Sequence, residues 1–202
     1  QAQKVAEEFH YKHISTGDIL RIVLQDEDNP LSAKVRRFVE AGELVPDAII
    51  IELVEDALEH MEGYDGAVLD GVPRNLAQAE SIEAYFESHE VRAVAVDFQV
   101  KDDTIVDRLS SRRICESCQK IYNLDMNPEL KHNPICPDCN KELTVRPDDQ
   151  PETIRRRLEI YREITVPVIQ FYREKGILLE IDGDGSPEEI FKKILKGLQK
   201  YQ

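Results

Sequence analysis

The chain has 202 residues, 41% hydrophobic and 33% charged, with a formal net charge of −14. That length suits one sizeable core with an inserted subdomain, and it contains neither an apolar run able to span a bilayer nor a signal-peptide pattern. The acidity excludes a sequence-independent nucleic-acid binder, which needs a basic face, but not a local arginine cluster around a nucleotide.

The first residue is Gln1, and the chain opens inside a helical pattern. Ala2, Val5, Ala6 and Phe9 follow the i, i+3, i+4, i+7 rule with no cap ahead of them. The expectation is that more chain lies upstream. Tyr11 to Ile14 reads as a strand, and Asp18 is the expected cap of a helix through Leu20, Ile22 and Val23. Asn29-Pro30 breaks that helix. A second carries Val35, Phe38 and Val39 and stops at Gly42. Pro46-Asp47 opens a third, Ala67 to Leu69 is a short strand, and helix returns from Asn75 to Ser88. Val94 to Phe98 reads as a buried strand, followed by helix from Asp103 to Leu109. After an insert at Ser111 to Val145 comes one long helix, Glu152 to Lys175, with Pro167 as a kink. Ile177 to Ile181 is a last strand. Ser186-Pro187-Glu188-Glu189 is a capping box for the closing helix.

Strands alternating with helices predict an α/β fold with a parallel sheet covered on both faces. Ligands collect beyond the carboxyl ends of such strands, where Ser15 to Asp18, Asp70 to Arg74 and Gly183 to Gly185 fall. Arg21, Arg74, Arg108, Arg112, Arg113, Arg146 and Arg157 gather near these turns in the sequence. Guanidinium groups grip phosphate bidentately, so their convergence implies a polyphosphate or two phosphorylated ligands.

The four cysteines form two pairs, Cys115-x-x-Cys118 and Cys136-x-x-Cys139, separated by 17 residues. Two such turns facing each other make the four-sulfur tetrahedron of a closed structural zinc ribbon, in a reducing compartment. Two disulfides in a secreted protein are the competing arrangement. Arginines on both sides of the insert suggest a lid closing over something anionic.

Five motifs in order carry a family resemblance. They are Ile14-Ser15-Thr16-Gly17-Asp18-Ile19-Leu20-Arg21, Gly42-Glu43-Leu44-Val45-Pro46-Asp47, Leu69-Asp70-Gly71-Val72-Pro73-Arg74, Arg112-Arg113-Ile114-Cys115 and Arg146-Pro147-Asp148-Asp149, with Thr153 and Arg157-Leu158 behind. Over essentially its whole length the chain resembles adenylate kinase of the long, zinc-bearing-lid type, a P-loop NTPase-like nucleoside monophosphate kinase. The resemblance implies reversible phosphoryl transfer from ATP to AMP, giving two ADP, with Mg2+ accompanying ATP and Zn2+ in the lid. It implies a cytoplasmic location and no nucleic-acid or membrane partner. Residues 1–14, 46–110 and 150–202 would form the core, 15–45 a nucleoside-monophosphate flap, and 111–149 the lid. A monomer is expected, since no large apolar stripe stands out.

The resemblance also implies residue roles. Thr16, Arg21, the Glu43, Leu44 and Val45 backbone, Gly71, Arg74, Gln78, Arg146 and Arg157 would form the AMP site. Gln78 is expected one helical turn beyond Arg74, on the same face, reading an adenine edge. Asparagine is usual there in pyrimidine kinases, so Gln78 favours AMP. Arg108, Arg112 and Gly185 would meet ATP. Arg74, Arg112, Arg146 and Arg157 would stabilise the transferring phosphoryl group, with Asp70 as the acid near magnesium. Asp148 and Asp149 would anchor the closed lid.

Val72 and Asn75 stand where the family usually has phenylalanine and threonine. The largest departure is the family's opening strand and phosphate loop, G-x-x-x-x-G-K-[ST], which these 202 residues do not contain. The missing strand would be the central one, and its loss exposes two interior strand edges. The expectation is a fragment of a longer enzyme, folding poorly and transferring phosphate slowly. A non-catalytic nucleotide-binding relative and a kinase for another nucleoside monophosphate are the alternatives. Elsewhere, Arg36, Arg37, Arg155 and Arg156 read as solvated surface, and Tyr122 and Met126 as packing within the lid. His10, His13, His60, His89 and His132 show neither ligand spacing nor an acid partner.

Overall fold

Short apolar runs alternating with amphipathic helices give nine α-helices and seven strands among the residues described by the computed structural model, 1–26 and 28–201. Helix α1 (Ala2–Glu8) leads into strand β1 (Lys12–Ser15), and then come α2 (Thr16–Gln25) and α3 (Pro30–Ala41). Helix α4 (Asp47–Glu59), strand β2 (Ala67–Asp70), helix α5 (Leu76–Ser88), strand β3 (Ala95–Gln99) and helix α6 (Asp102–Ser110) follow. The insert holds β4 (Arg112–Cys115), β5 (Ile121–Asn123) and β6 (Leu143–Thr144). Helices α7 (Pro151–Ile160) and α8 (Val166–Glu174), strand β7 (Leu178–Asp182) and helix α9 (Pro187–Leu198) complete the chain.

The core strands are all parallel, as expected for an α/β fold. Among the described residues they form two pairs, β1 with β2 and β3 with β7, without ladder hydrogen bonds between the pairs. This explains one difference from expectation. The run from Val94 reads as a buried strand, yet Phe98 in β3 is 38% exposed. A strand paired along one edge is covered less than an interior one.

Helix boundaries follow local chemistry. Asn29 caps α3 with proline at its first position, and Gly42 ends it at φ +69°. Ser15, not Asp18, caps α2: its hydroxyl accepts the Asp18 N–H at 3.2 Å. Asp18 instead contributes its carboxylate to the first turn, where the helix dipole favours it. The long helix beyond the insert is two helices joined by a π-helical turn at Tyr161–Thr165. Pro167 sits just after it. Its missing N–H prevents the regular ladder from continuing there. The Ser186–Glu189 capping box forms as the sequence predicts.

Apolar clusters tie the segments together. Leu20 and Val35 from α2 and α3 share a core with Val45, Ile50, Val54, Val72 and Ile82, so the 15–45 segment packs on α4 and α5. Leu179, Ile181, Ile190 and Ile194 join β7 to α9. The insert has its own small core of Leu130 and Leu143 around the cysteines, with Tyr122 against it. Met126 departs from expectation: at 58% exposed it projects from the insert's surface. No helix among the described residues is long and apolar enough to cross a membrane.

Candidate functional site: an arginine-lined cleft and a four-cysteine lid

Strands β1 and β2 run side by side, pairing Ser15 with Asp70 at their carboxyl ends. This brings the two following turns together. Thr16 Oγ1 lies 3.3 Å from the carbonyl oxygens of Asp70 and Gly71. Gly71 has φ +79°, and a Cβ there would come within 3.0 Å of Arg74 Nη2 and 3.1 Å of Thr16 Oγ1. Only glycine combines that backbone with that approach. Arg74 Nε donates to the Gly71 carbonyl at 2.6 Å, while the Arg74 carbonyl accepts from Thr165 at 2.7 Å. The first bond holds the guanidinium and the second holds the Arg74 backbone.

One cleft is lined by Thr16, Arg21, Glu43, Leu44, Val45, Asp70, Gly71, Arg74, Gln78, Arg112, Arg146 and Arg157. These are the residues expected at the AMP site together with Asp70 and Arg112. Arg108 lies apart from this lining. It donates to the Gly183 carbonyl at 3.0 Å and approaches that of Gly185 at 3.5 Å. Arg113 turns back onto the Ser110 and Arg112 carbonyls.

Carboxylates partly balance the positive charge. Asp149, 2% exposed, receives Arg112 bidentately at 2.5 and 2.6 Å. Arg157 reaches Asp148 at 3.2 Å and Asp149 at 3.6 Å. Asp18 meets Arg21 at 2.5 Å and Arg146 at 3.8 Å, and Arg21 lies 4.0 Å from Asp148. The last two pairs join the 15–45 segment to the end of the insert across the cleft.

The balance is incomplete. Burial, then the neighbouring Arg157, disfavours the charge of Arg74. Burial, Arg21 and Arg112 do the same to Arg146, whose buried Nε has no hydrogen-bond partner among the described residues. Buried guanidinium groups crowding one another are relieved by an anion with many acceptor oxygens, such as a phosphate. Burial also pushes Asp18 upward, but hydrogen bonds from Arg21 and Ser15 outweigh it and hold its carboxyl below the ordinary range.

Two expectations need correction. His13 does have an acid partner: its Nε2 lies 3.3 Å from Asp70, and this contact holds the Asp70 carboxyl below its usual range. His10 with Asp65 at 3.1 Å and His60 with Asp56 at 3.6 Å are similarly paired. The partners of His13 and His10 are distant in sequence, which spacing does not reveal. His60 and Asp56, by contrast, are an i,i+4 pair at the end of α4 that spacing alone could have found. Second, Gln78 does not share a helix face with Arg74. Arg74 precedes the cap residue Asn75, and the Gln78 side chain folds back to accept the Arg74 N–H at 2.8 Å. Sequence reasoning places Asp47 only at a helix start, whereas it accepts hydrogen bonds from both Asn75 and Gln78.

The insert brings its four cysteines together. All four sulfurs lie within 4.8 Å of one another. Cys115 and Cys139 are 3.1 Å apart, Cys118 and Cys136 3.6 Å, and all four are free thiols. Four sulfurs at about 2.3 Å from one tetrahedral metal would stand close to these spacings. Backbone N–H of Cys118, then the Cys139 thiol, lower the pKa of Cys115. Tyr122 packs its hydroxyl 3.2 Å from Cys136 and 2.5 Å from Asp138. The donor set fits a thiophilic metal.

Gly42 couples the 15–45 segment to this cleft. A Cβ on it would sit 2.7 Å from Thr153 Cγ2 and 3.1 Å from Arg157 Cγ, at φ +69°. Gly42→Ala is expected to cost about 1–2 kcal/mol in backbone strain alone. It should also displace Arg157 from the cleft, raising KM several-fold as well as lowering Tm. Steady-state kinetics beside thermal unfolding checks this.

Parallel strands whose carboxyl-end turns feed an arginine-lined crevice, with an inserted four-cysteine cluster compatible with a lid, are the arrangement of an α/β protein suited to a phosphorylated ligand. The family model described as adenylate kinase matches residues 1–177. The adenylate kinase of Thermotoga neapolitana is 41% identical over 196 residues, covering 96% of this chain and 89% of that protein. That of Caldanaerobacter subterraneus subsp. tengcongensis is 40% identical over 200 residues, covering 98% and 89%. That of Lachnospira eligens is 38% identical over 197 residues, covering 97% and 92%. The chain belongs to the adenylate kinase family, and the cysteine cluster fits its long-lid type.

Proposed function

We propose that the protein catalyses reversible phosphoryl transfer from ATP to AMP, forming two ADP, and so balances adenine nucleotides in the cytoplasm. The observation that carries this reading is the convergence of Arg21, Arg74, Arg112, Arg146 and Arg157 with Gln78 around one cleft. An AMP phosphate oxygen attacks the γ-phosphorus of ATP. The bond from that phosphorus to the β–γ bridging oxygen breaks, and ADP leaves. Such a transfer needs positioning and charge stabilisation more than covalent help. Arg74, held at Gly71, and Arg21 would take the AMP phosphate. In the transition state Arg74 would join Arg112, Arg146 and Arg157 around the transferring group, and Arg112 and Arg157 would release their present carboxylate partners as phosphate replaces them. Arg108 and Gly185 would lie beside ATP. Residues 1–14, 46–110 and 150–202 act as the core, 15–45 as the flap and 111–149 as the lid, whose closure excludes water.

Mg2+ arriving with ATP would neutralise charge on its phosphate oxygens. Asp70 fits a water-mediated role there, since it lines the cleft and its contact with His13 holds its carboxyl below the usual range. Zn2+ is the metal that best suits four thiolates, with a structural role in the lid. A monomer is the working assembly.

Coupled assay of ADP formation tests the reading. Saturable, AMP-dependent ADP production by the protein from its natural source supports it. ATP consumption without AMP, or a clear preference for UMP or CMP, overturns it. Tight nucleotide binding without any transfer would instead favour a non-catalytic sensor.

A further inference from the structure

Gln78 is 1% exposed, yet it lines the cleft. Its side-chain amide is held at both ends. Nε2 donates to Asp47 Oδ1 at 2.7 Å, and Oε1 accepts the Arg74 N–H at 2.8 Å. Asp47 is itself fixed by Asn75 Nδ2 at 2.8 Å, while Asn75 Oδ1 accepts the Gln78 N–H at 2.9 Å. Asp47 begins α4, where the helix dipole favours a carboxylate.

An unrestrained glutamine amide can flip, exchanging its donor and acceptor ends. Here a flip would set NH2 against the Arg74 N–H and the amide oxygen against the Asp47 carboxylate. Both contacts would become repulsive. The held orientation leaves one N–H on Nε2 and one lone pair on Oε1 for a ligand. A 6-aminopurine offers the complement, an acceptor at N1 and a donor at its amino group. A 6-oxopurine offers a donor at N1 and an acceptor at O6, so it faces a mismatch at both atoms.

We infer that Asp47 is a positioning residue that locks the Gln78 amide and thereby makes the acceptor site select 6-aminopurine over 6-oxopurine monophosphates. This rests on the cleft being the acceptor site proposed above. Asp47 need not touch the nucleotide.

The test compares AMP with inosine monophosphate, which differs at this edge alone. Calorimetric titration and transfer kinetics are run on the full protein and on Asp47→Ala, Asp47→Ser and Asp47→Asn. The unaltered protein should prefer AMP by about 100-fold or more, since a site with fixed hydrogen-bonding groups rejects a mismatched analogue strongly. Asp47→Ala and Asp47→Ser should lower that ratio about tenfold, the effect of one lost orienting hydrogen bond. Asp47→Asn keeps a carbonyl acceptor and should retain most of the ratio. A merely structural role would move both nucleotides' constants in parallel, and an unchanged ratio in folded Asp47→Ala overturns the inference. An unaltered protein that binds neither nucleotide overturns the acceptor-site reading and the lock with it. AMP selectivity that survives Asp47→Ala removes the lock alone. Should the variants not fold, hydrogen exchange at the Gln78 side chain of the unaltered protein decides. One Nε2 proton should be markedly protected, and equal rapid exchange of both contradicts the lock.

Discussion

Arg74→Ala should lower kcat/KM for AMP by about 1,000-fold or more, the range seen when a transition-state arginine is removed from phosphoryl transfer. Two features make this position the most exposed to loss. The guanidinium is held by the Gly71 carbonyl at 2.6 Å, so its placement does not depend on the ligand. Its charge is also disfavoured by burial and by Arg157, so an incoming phosphate gains a cation that few other partners satisfy. Arg74→Lys should recover little, because a point charge on a flexible stem cannot reproduce the planar fork. The fold should survive, since burial and Arg157 already disfavour the Arg74 charge and its removal relieves that crowding. Unchanged Tm with collapsed kcat/KM is the expected pair of measurements. A variant within tenfold of the parent would place the reacting phosphate elsewhere.

Removing the lid metal should have a large effect on stability and a small one on chemistry. The insert's own core is little more than Leu130, Leu143 and the cysteines, with Tyr122 and Leu124 packed alongside. So few apolar residues do not hold some 35 residues together, and a metal on the four thiols would supply what the core does not. Chelation, or Cys136→Ser, should lower Tm by about 10 °C, corresponding to a few kcal/mol in a chain of this size. At temperatures where the lid still folds, turnover should persist. Metal content should also fall as pH drops, because thiolates must be deprotonated to bind. Loss of all activity while the lid remains folded would contradict a structural role. A native mass four protons lighter, without metal, would indicate two disulfides instead.

Much of this was legible in the residues because the signals are local. Gly42 and the Ser186 capping box mark helix ends by their own backbone chemistry. The cysteine pairs mark the lid by spacing, and the ordered arginine motifs mark the cleft. What spacing misses is side-chain geometry across segments. Asp18 looks like a cap, yet Ser15 takes that role and frees Asp18 for Arg21 and Arg146. His13 looks partnerless until β1 and β2 pair and bring it to Asp70. Asp47 closes the Gly42–Asp47 motif and opens a helix, but neither signal reveals what its carboxylate holds. Its partners Asn75 and Gln78 lie 28 and 31 residues away, and only the packing of α4 against α5 brings them together. The π turn before Pro167 is a backbone compromise that a single proline signals without specifying.

The most direct test is product analysis with ATP and AMP supplied together to the protein from its natural source. The account predicts two ADP formed for each AMP consumed, with no phosphate released and no turnover when AMP is omitted. Inorganic phosphate as the main product, or transfer that does not require AMP, would contradict it.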